Sequence, residues 1–238
     1  MFKITNPFVN FIISFESMRE PTIPAYLPET YSQCGEDLFL KQYLDAYFFR
    51  KNSNPFNMKY LEIGANHPVC TSSTWLLHNH YGTTGILVEP IPKLAEQLRI
   101  YRVSDEVVEA AVIPGKNSSN VTFYVGNQNE VSSVDKNFTD RWCENQEIIV
   151  PTININDLLH KLSDAEYILL FIDIEGLDIQ VLEEIQFDKV RPFIIQIEPS
   201  DWYNNDGSYR IYEFMLSKNY KLICKNIVNM MFIDQGRE

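Results

Sequence analysis

A doubly wound α/β fold is what this sequence predicts, on two observations. The first is a set of four short apolar runs: Tyr60-Leu61-Glu62-Ile63-Gly64, Ile86-Leu87-Val88-Glu89-Pro90, the stretch from Ile168 to Gly176, and that from Phe193 to Pro199. Short, continuously apolar runs rich in Ile and Val suit strands buried on both faces of a parallel sheet. The second is the alternation of these runs with segments whose apolar residues recur at helical spacing. Each run also ends on an acidic residue or a pair of them. Ligands of open α/β sheets bind beyond the carboxyl ends of the strands, so carboxylates gathered there make a site.

The elements follow in order. Residues 1–30 read as an irregular apolar arm, since Pro21, Pro24 and Pro28 oppose a long helix. Residues 31–238 form the main domain. Gly35 to Phe49 is apolar enough for a largely buried helix, and the loop around Pro55 feeds the first strand. After that strand, Thr71-Ser72-Ser73-Thr74 can cap a helix through Trp75, Leu76 and Leu77. Gly82 to Gly85 turns the chain into the second strand, and Leu94, Leu98 and Tyr101 mark the next helix. Val107 to Val112 reads as one further strand. Ser118 to Thr152 breaks the pattern and reads as an insertion, with short strands at Val121–Val125 and Ile148–Thr152. Ile155, Leu158, Leu159 and Leu162 precede the third acidic strand on one helical face, and Leu177, Val181, Leu182 and Ile185 follow it on another. A helix around Ile211, Phe214 and Met215 leads to Tyr220–Cys224 and Ile227–Ile233, whose short link suits an antiparallel hairpin at the end of the sheet.

Composition bounds the function. A net charge of −12 disfavours an electrostatic grip on nucleic acid or on anionic lipid. The four cysteines, Cys34, Cys70, Cys143 and Cys224, are widely spaced and form no zinc or disulfide pattern. The N-terminal arm is too short and interrupted for a membrane span and carries no signal-peptide cleavage pattern, so a cytoplasmic setting is expected. The glycosylation patterns at Asn117, Asn120 and Asn137 carry little weight without a signal peptide.

The cofactor can be argued from the strand ends. A dinucleotide site wants three glycines after the first strand, so that backbone can approach a pyrophosphate. Glu62-Ile63-Gly64-Ala65-Asn66-His67-Pro68 supplies Gly64 alone. Glu89 closes the second strand, where an acid commonly accepts hydrogen bonds from ribose hydroxyls. Adenosine without diphosphate is what S-adenosylmethionine offers.

These residues also carry a family resemblance. SQCGEDLFL (Ser32 to Leu40), YLEIGANHP, GILVEP, FIDIEGLDIQVL (Phe171 to Leu182) and RPFIIQIE (Arg191 to Glu198) resemble the FkbM-type S-adenosylmethionine-dependent methyltransferases. The resemblance runs from about Ser32 to the C-terminus, and Cys34 departs from the small polar residue more usual there. It implies a class I methyltransferase fold, Rossmann-like and seven-stranded with the last strand antiparallel. It also implies O-methylation of sugars, glycans or other hydroxyl-bearing metabolites. Glu62, Gly64 and Asn66 are then expected at the methionine end of the cofactor and Glu89 on the ribose.

A hydroxyl is a weak nucleophile, so a general base is expected. Asp173, Glu175, Glu198 and His67 are the candidates, with Asp173 for cofactor or base contact and Glu175 with Glu198 for acceptor hydroxyls. Gln33, Glu36 and Asp37 either fold over the cofactor or cap a helix. Ser132 and Ser133, and the aromatics Trp202, Tyr203 and Tyr209, are further candidates for acceptor or cofactor contact. His78 and His80, two positions apart on a helix, do not share a face for a metal pair, and His160 reads as solvent-facing near a helix end. Asp173, Glu175 and Asp178 have the oxygen chemistry of a divalent-cation site, but Asp178 suits the first turn of the following helix and no metal is assigned. Two competing readings are a metal-dependent glycosyltransferase using Asp173-Ile174-Glu175 and a non-catalytic binding module. The acceptor and the oligomeric state are not readable from the sequence.

Overall fold

The structure, a computed structural model, describes residues 30–115, 119–127, 129–199 and 206–238. Its centre is a seven-stranded sheet built from β1 (Met58–Ile63), β2 (Thr84–Val88), β3 (Glu106–Val108), β7 (Tyr167–Ile172), β8 (Ile194–Ile197), β9 (Tyr220–Lys225) and β10 (Met230–Asp234). The order across it is β3-β2-β1-β7-β8-β10-β9. All neighbours pair in parallel as far as β8, whereas β10 is antiparallel to both β8 and β9. The terminal hairpin expected from the sequence is therefore present, and its last strand slots between β8 and β9.

Strand alternation explains why the central runs are apolar throughout. All six residues of β7 are buried. Ile168, Leu170 and Ile172 face one layer with Leu61 and Ile63, packed by α5 (Ile155–Lys161), α6 (Asp178–Glu183) and α7 (Gly207–Ser217). Tyr167, Leu169 and Phe171 face the other layer with Tyr60, packed by α1 (Glu36–Lys51), α2 (Trp75–Tyr81) and α3 (Pro92–Tyr101). A sheet covered on both faces leaves only its strand ends for polar work.

The expected Val107–Val112 strand divides in two. β3 ends at Val108, whose carbonyl accepts from the Glu89 amide, and the chain then leaves the large sheet. β4 (Ala111–Val112) pairs in parallel with β6 (Asn145–Ile153), which pairs antiparallel with β5 (Asn120–Gly126) to make a second, three-stranded sheet. A short α4 (Lys136–Thr139) lies between β5 and β6. Ala111, Phe123 and Val150 from this sheet pack on Ile91 and Leu94 at the start of α3. The insertion is thereby fastened beside the carboxyl ends of β1, β2 and β7.

Within the expected Thr71–Thr74 stretch it is Ser72 that caps α2. Ser72 Oγ accepts from the amides of Thr74 and Trp75, while the Thr74 hydroxyl turns inward to Glu62. Residues 1–29 of the N-terminal arm, Asn117, Trp202 and Tyr203 lie outside the described residues. No helix among the described residues is long and apolar enough to cross a membrane.

Candidate active site

A cleft of about 770 Å³, counting its open mouth, lies beyond the carboxyl ends of β1, β2 and β7. Gly64, Asn66, Glu89, Asp173 and Glu175 line it together. One wall comes from the insertion, through Phe123, Glu130, Ser132 and Val134.

Gly64 makes the convergence of strands possible. It sits at φ 82°, and a Cβ there would lie 1.8 Å from the Asp173 carbonyl oxygen. Its amide and that of Ala65 both donate to the Val88 carbonyl, at 3.0 and 3.1 Å, and Asp173 donates to Ile63 at 3.1 Å. The ends of β1, β2 and β7 are thus tied at one point. The chain then passes through Asn66 at φ 47°, a left-handed conformation that Asn tolerates better than most residues.

Glu89 is buried on the cleft wall with its carboxylate anchored by backbone. One oxygen accepts from Asn66 N at 2.9 Å, and the other from Ile91 N at 2.8 Å. Burial pushes its carboxyl up to about 7 against the help of those two amides. Each oxygen keeps a further lone pair, the acceptor capacity that two vicinal hydroxyls need.

Asp173 and Glu175 on the cleft, with Glu198 beside them but not lining it, form a knot of acids. One oxygen each from Asp173, Glu175 and Glu198 all lie within 4.8 Å of one another. Burial, then the Glu198 charge, drives the Asp173 carboxyl well above the usual range, and the same two causes in the same order raise Glu175. The turn that presents them is held from several sides. Asp178, the first residue of α6, accepts from Ile174 N at 2.9 Å and Gly176 N at 3.0 Å and so ties the turn to the start of the helix. Glu175 itself is left-handed at φ 55°, a conformation that costs about 1 kcal/mol for a residue with a Cβ. Ser133 Oγ donates to the Glu175 carbonyl at 2.7 Å and pins that turn to the insertion. Ser132, its neighbour, lines the cleft with its hydroxyl accepting from Gly126 N.

Glu62 and His67 are not brought into the cleft, so the structure corrects their expected placing. Glu62 shares the face of Tyr60 on β1, under α2, where Ser73 N and the Thr74 hydroxyl donate to its carboxylate. His67 Nδ1 accepts from Val69 N at 3.1 Å and Cys70 N at 2.9 Å, so its ring braces the loop after β1, and burial lowers its pKa. Gln33 does reach the cleft. Glu36 and Asp37 instead brace the entry to α1: Asp37 accepts from the hydroxyls of Thr30 and Ser32, and Glu36 from Cys34 N, Asn226 and Asn229. Tyr209 is exposed on α7.

One polar network escaped the sequence reading. Arg102, just past α3, is wholly buried. It donates to Asp105 at 2.9 Å, to the Tyr60 hydroxyl at 2.7 Å, to Thr74 Oγ1 at 2.9 Å and to the Pro68 carbonyl at 3.1 Å. Its guanidinium also lies 5.5 Å from the centre of the Trp75 ring. Through Thr74 and Pro68 it fixes both ends of the loop that leaves Asn66. The Arg102/Asp105 pair, three residues apart after an amphipathic helix, was the available signal, but that pattern looks the same on a solvated surface.

A mostly parallel seven-stranded sheet with one antiparallel strand, helices on both faces and a cleft at the strand ends defines a Rossmann-like methyltransferase fold. The FkbM methyltransferase domain matches residues 62–222, more than half of the chain, and the chain belongs to that family. Comparison with curated proteins and with solved structures gave no significant match.

Proposed function

We propose that this chain is an S-adenosylmethionine-dependent O-methyltransferase acting on a hydroxyl of a sugar, glycan or related metabolite. The observation that carries the reading is the cleft's division into two acidic ends. Glu89, anchored by two backbone amides, suits the ribose hydroxyls, and Asp173 and Glu175 line the same cleft with Glu198 beside them. The single glycine at the first turn, with its space filled by the Asp173 carbonyl, offers no cradle for a diphosphate, which weighs against a nucleotide-sugar donor.

In the proposed reaction the acceptor hydroxyl approaches the sulfonium methyl in line. The oxygen's electron pair forms the new C–O bond while the C–S bond breaks and its pair stays on sulfur, releasing neutral S-adenosylhomocysteine. The hydroxyl proton passes to a carboxylate of the acidic knot. Burial and mutual repulsion make Asp173 and Glu175 better proton acceptors than ordinary carboxylates, which suits a general base. Holding both reactants in this geometry supplies much of the rate. His67, whose ring nitrogen is committed to the loop, takes no part in this scheme.

Calorimetry or thermal unfolding with S-adenosylhomocysteine, S-adenosylmethionine, NAD and nucleotide sugars tests the cofactor. A ligand well above its Kd stabilises the fold by mass action. Stabilisation by the two adenosyl compounds alone is expected. A folded sample that ignores S-adenosylhomocysteine would refute the reading.

A further inference from the structure

The acidic knot is compact enough to ask what neutralises it. One carboxylate oxygen each from Asp173, Glu175 and Glu198 lies within 4.8 Å of the other two. Two ligands of one ion can stand no further apart than twice the metal–oxygen distance, about 4.2 Å for Mg²⁺ and about 5 Å for Ca²⁺. At up to 4.8 Å the knot falls within the Ca²⁺-sized limit, and a small inward shift of the side chains brings it to the Mg²⁺-sized one. A second, separate observation concerns Glu175: its Oε2 is shut off from solvent and has no hydrogen-bond partner. Buried carboxylate oxygens seldom go unsatisfied without a ligand or a functional reason. Around them, the charges that act on Asp173 and Glu175 are those of further carboxylates, Asp178 and Glu130 among them. Asp178 is already committed to the amides of Ile174 and Gly176 and is not free to join the shell.

We propose that Asp173, Glu175 and Glu198 hold one divalent cation of the Mg²⁺, Mn²⁺ or Ca²⁺ class. Its remaining coordination positions face the cleft and take the oxygen of the methyl acceptor. Three carboxylates carry more charge than one monovalent ammonium compensates, which favours a divalent ion over an amine in the same place. The cation site rests on the carboxylates alone, whereas its task at the acceptor oxygen rests on the methyltransferase reading. A cation-bound hydroxyl loses its proton more readily.

The test uses the full chain, freed of metal by a chelator, and Mn²⁺ as the probe. Electron paramagnetic resonance or water-proton relaxation should count one bound Mn²⁺ per chain, displaced by Mg²⁺ or Ca²⁺. D173N and E198Q should each weaken Mn²⁺ binding by about tenfold or more, since even outer-shell changes cost that much at metal sites. Circular dichroism checks that both variants fold, and each removes one of several repelling charges. Folded wild type that binds no Mn²⁺ up to about 10 mM, above the weakest Kd values of such sites, overturns the proposal. So does Mn²⁺ binding that neither variant weakens, or stabilisation by a primary amine in a chain that ignores Mn²⁺. Parallel calorimetry with S-adenosylhomocysteine separates the two claims. Cofactor binding without Mn²⁺ sinks the cation site alone, and Mn²⁺ binding without the cofactor sinks the methyltransferase reading alone.

Discussion

Substituting Glu89 by Gln, and following cofactor binding across pH, puts the ribose assignment under strain. Burial raises the Glu89 carboxyl from 4.5 to about 7 in the free protein. The sign of its effect on folding follows. A carboxyl raised in the folded state contributes stability that is fully present below pH 4.5 and is lost as pH rises through about 7. Ribose hydroxyls donate to the ionised form, so bound cofactor pulls the group back toward carboxylate. With a pKa near 7, about one molecule in eleven is ionised at pH 6 and about ten in eleven at pH 8. S-adenosylhomocysteine should therefore bind about tenfold more tightly at pH 8 than at pH 6 through this group. E89Q places an amide NH₂ against one of the two backbone donors, Asn66 N or Ile91 N, and removes the charge from the other bond. Loss of a charged hydrogen bond of about 1.5–3 kcal/mol corresponds to about ten- to a hundredfold weaker binding. Isothermal calorimetry at pH 6, 7 and 8 measures both effects in wild type and variant. A folded E89Q with wild-type affinity and the wild-type pH slope would refute the ribose role.

Three further outcomes can be checked directly. G64A drives a Cβ into the Asp173 carbonyl at a positive φ, and chemical denaturation should show a loss of about 3 kcal/mol or more. R102M leaves Asp105 and Glu62 buried without their cation; a loss of about 3–5 kcal/mol is expected in urea unfolding, and a loss under 1 kcal/mol would mean the network is not load-sharing. S133A frees the Glu175 carbonyl from its clamp, costing about 1 kcal/mol in thermal or urea unfolding. In steady-state kinetics S133A should lower kcat while S-adenosylhomocysteine affinity stays near wild type, because the contact supports the acidic knot and not the Glu89 end.

The architecture was legible because its signals are local and periodic. Apolar runs as long as a strand, separated by helical faces, leave little choice but a sheet covered on both sides, and the short link before Ile233 specified the terminal hairpin. Glu89, Asp173 and Glu175 were legible for a related reason, since strand ends in such sheets converge on one edge. Glu62 misled because a strand end does not say which way a side chain points. On β1 it shares the face of Tyr60, and the inward Thr74 hydroxyl and Ser73 amide hold it under α2. His67 misled likewise: two amides two and three residues ahead claim its ring nitrogen, a bond set by loop geometry that spacing does not reveal.

By itself, the sequence determined the order of elements, the parallel core, the hairpin and the carboxylates available at the strand ends, all consequences of local hydrophobic period. Only the tertiary structure decided which of those carboxylates meet. It tied Gly64 against Asp173, turned Glu62 and His67 away into loop bracing, and set Glu198 beside Asp173 and Glu175. It also brought Arg102 under the loop after β1 and Ser133 onto the Glu175 turn. Those contacts join residues far apart in the chain, and their energies depend on burial and on distances that no local pattern encodes.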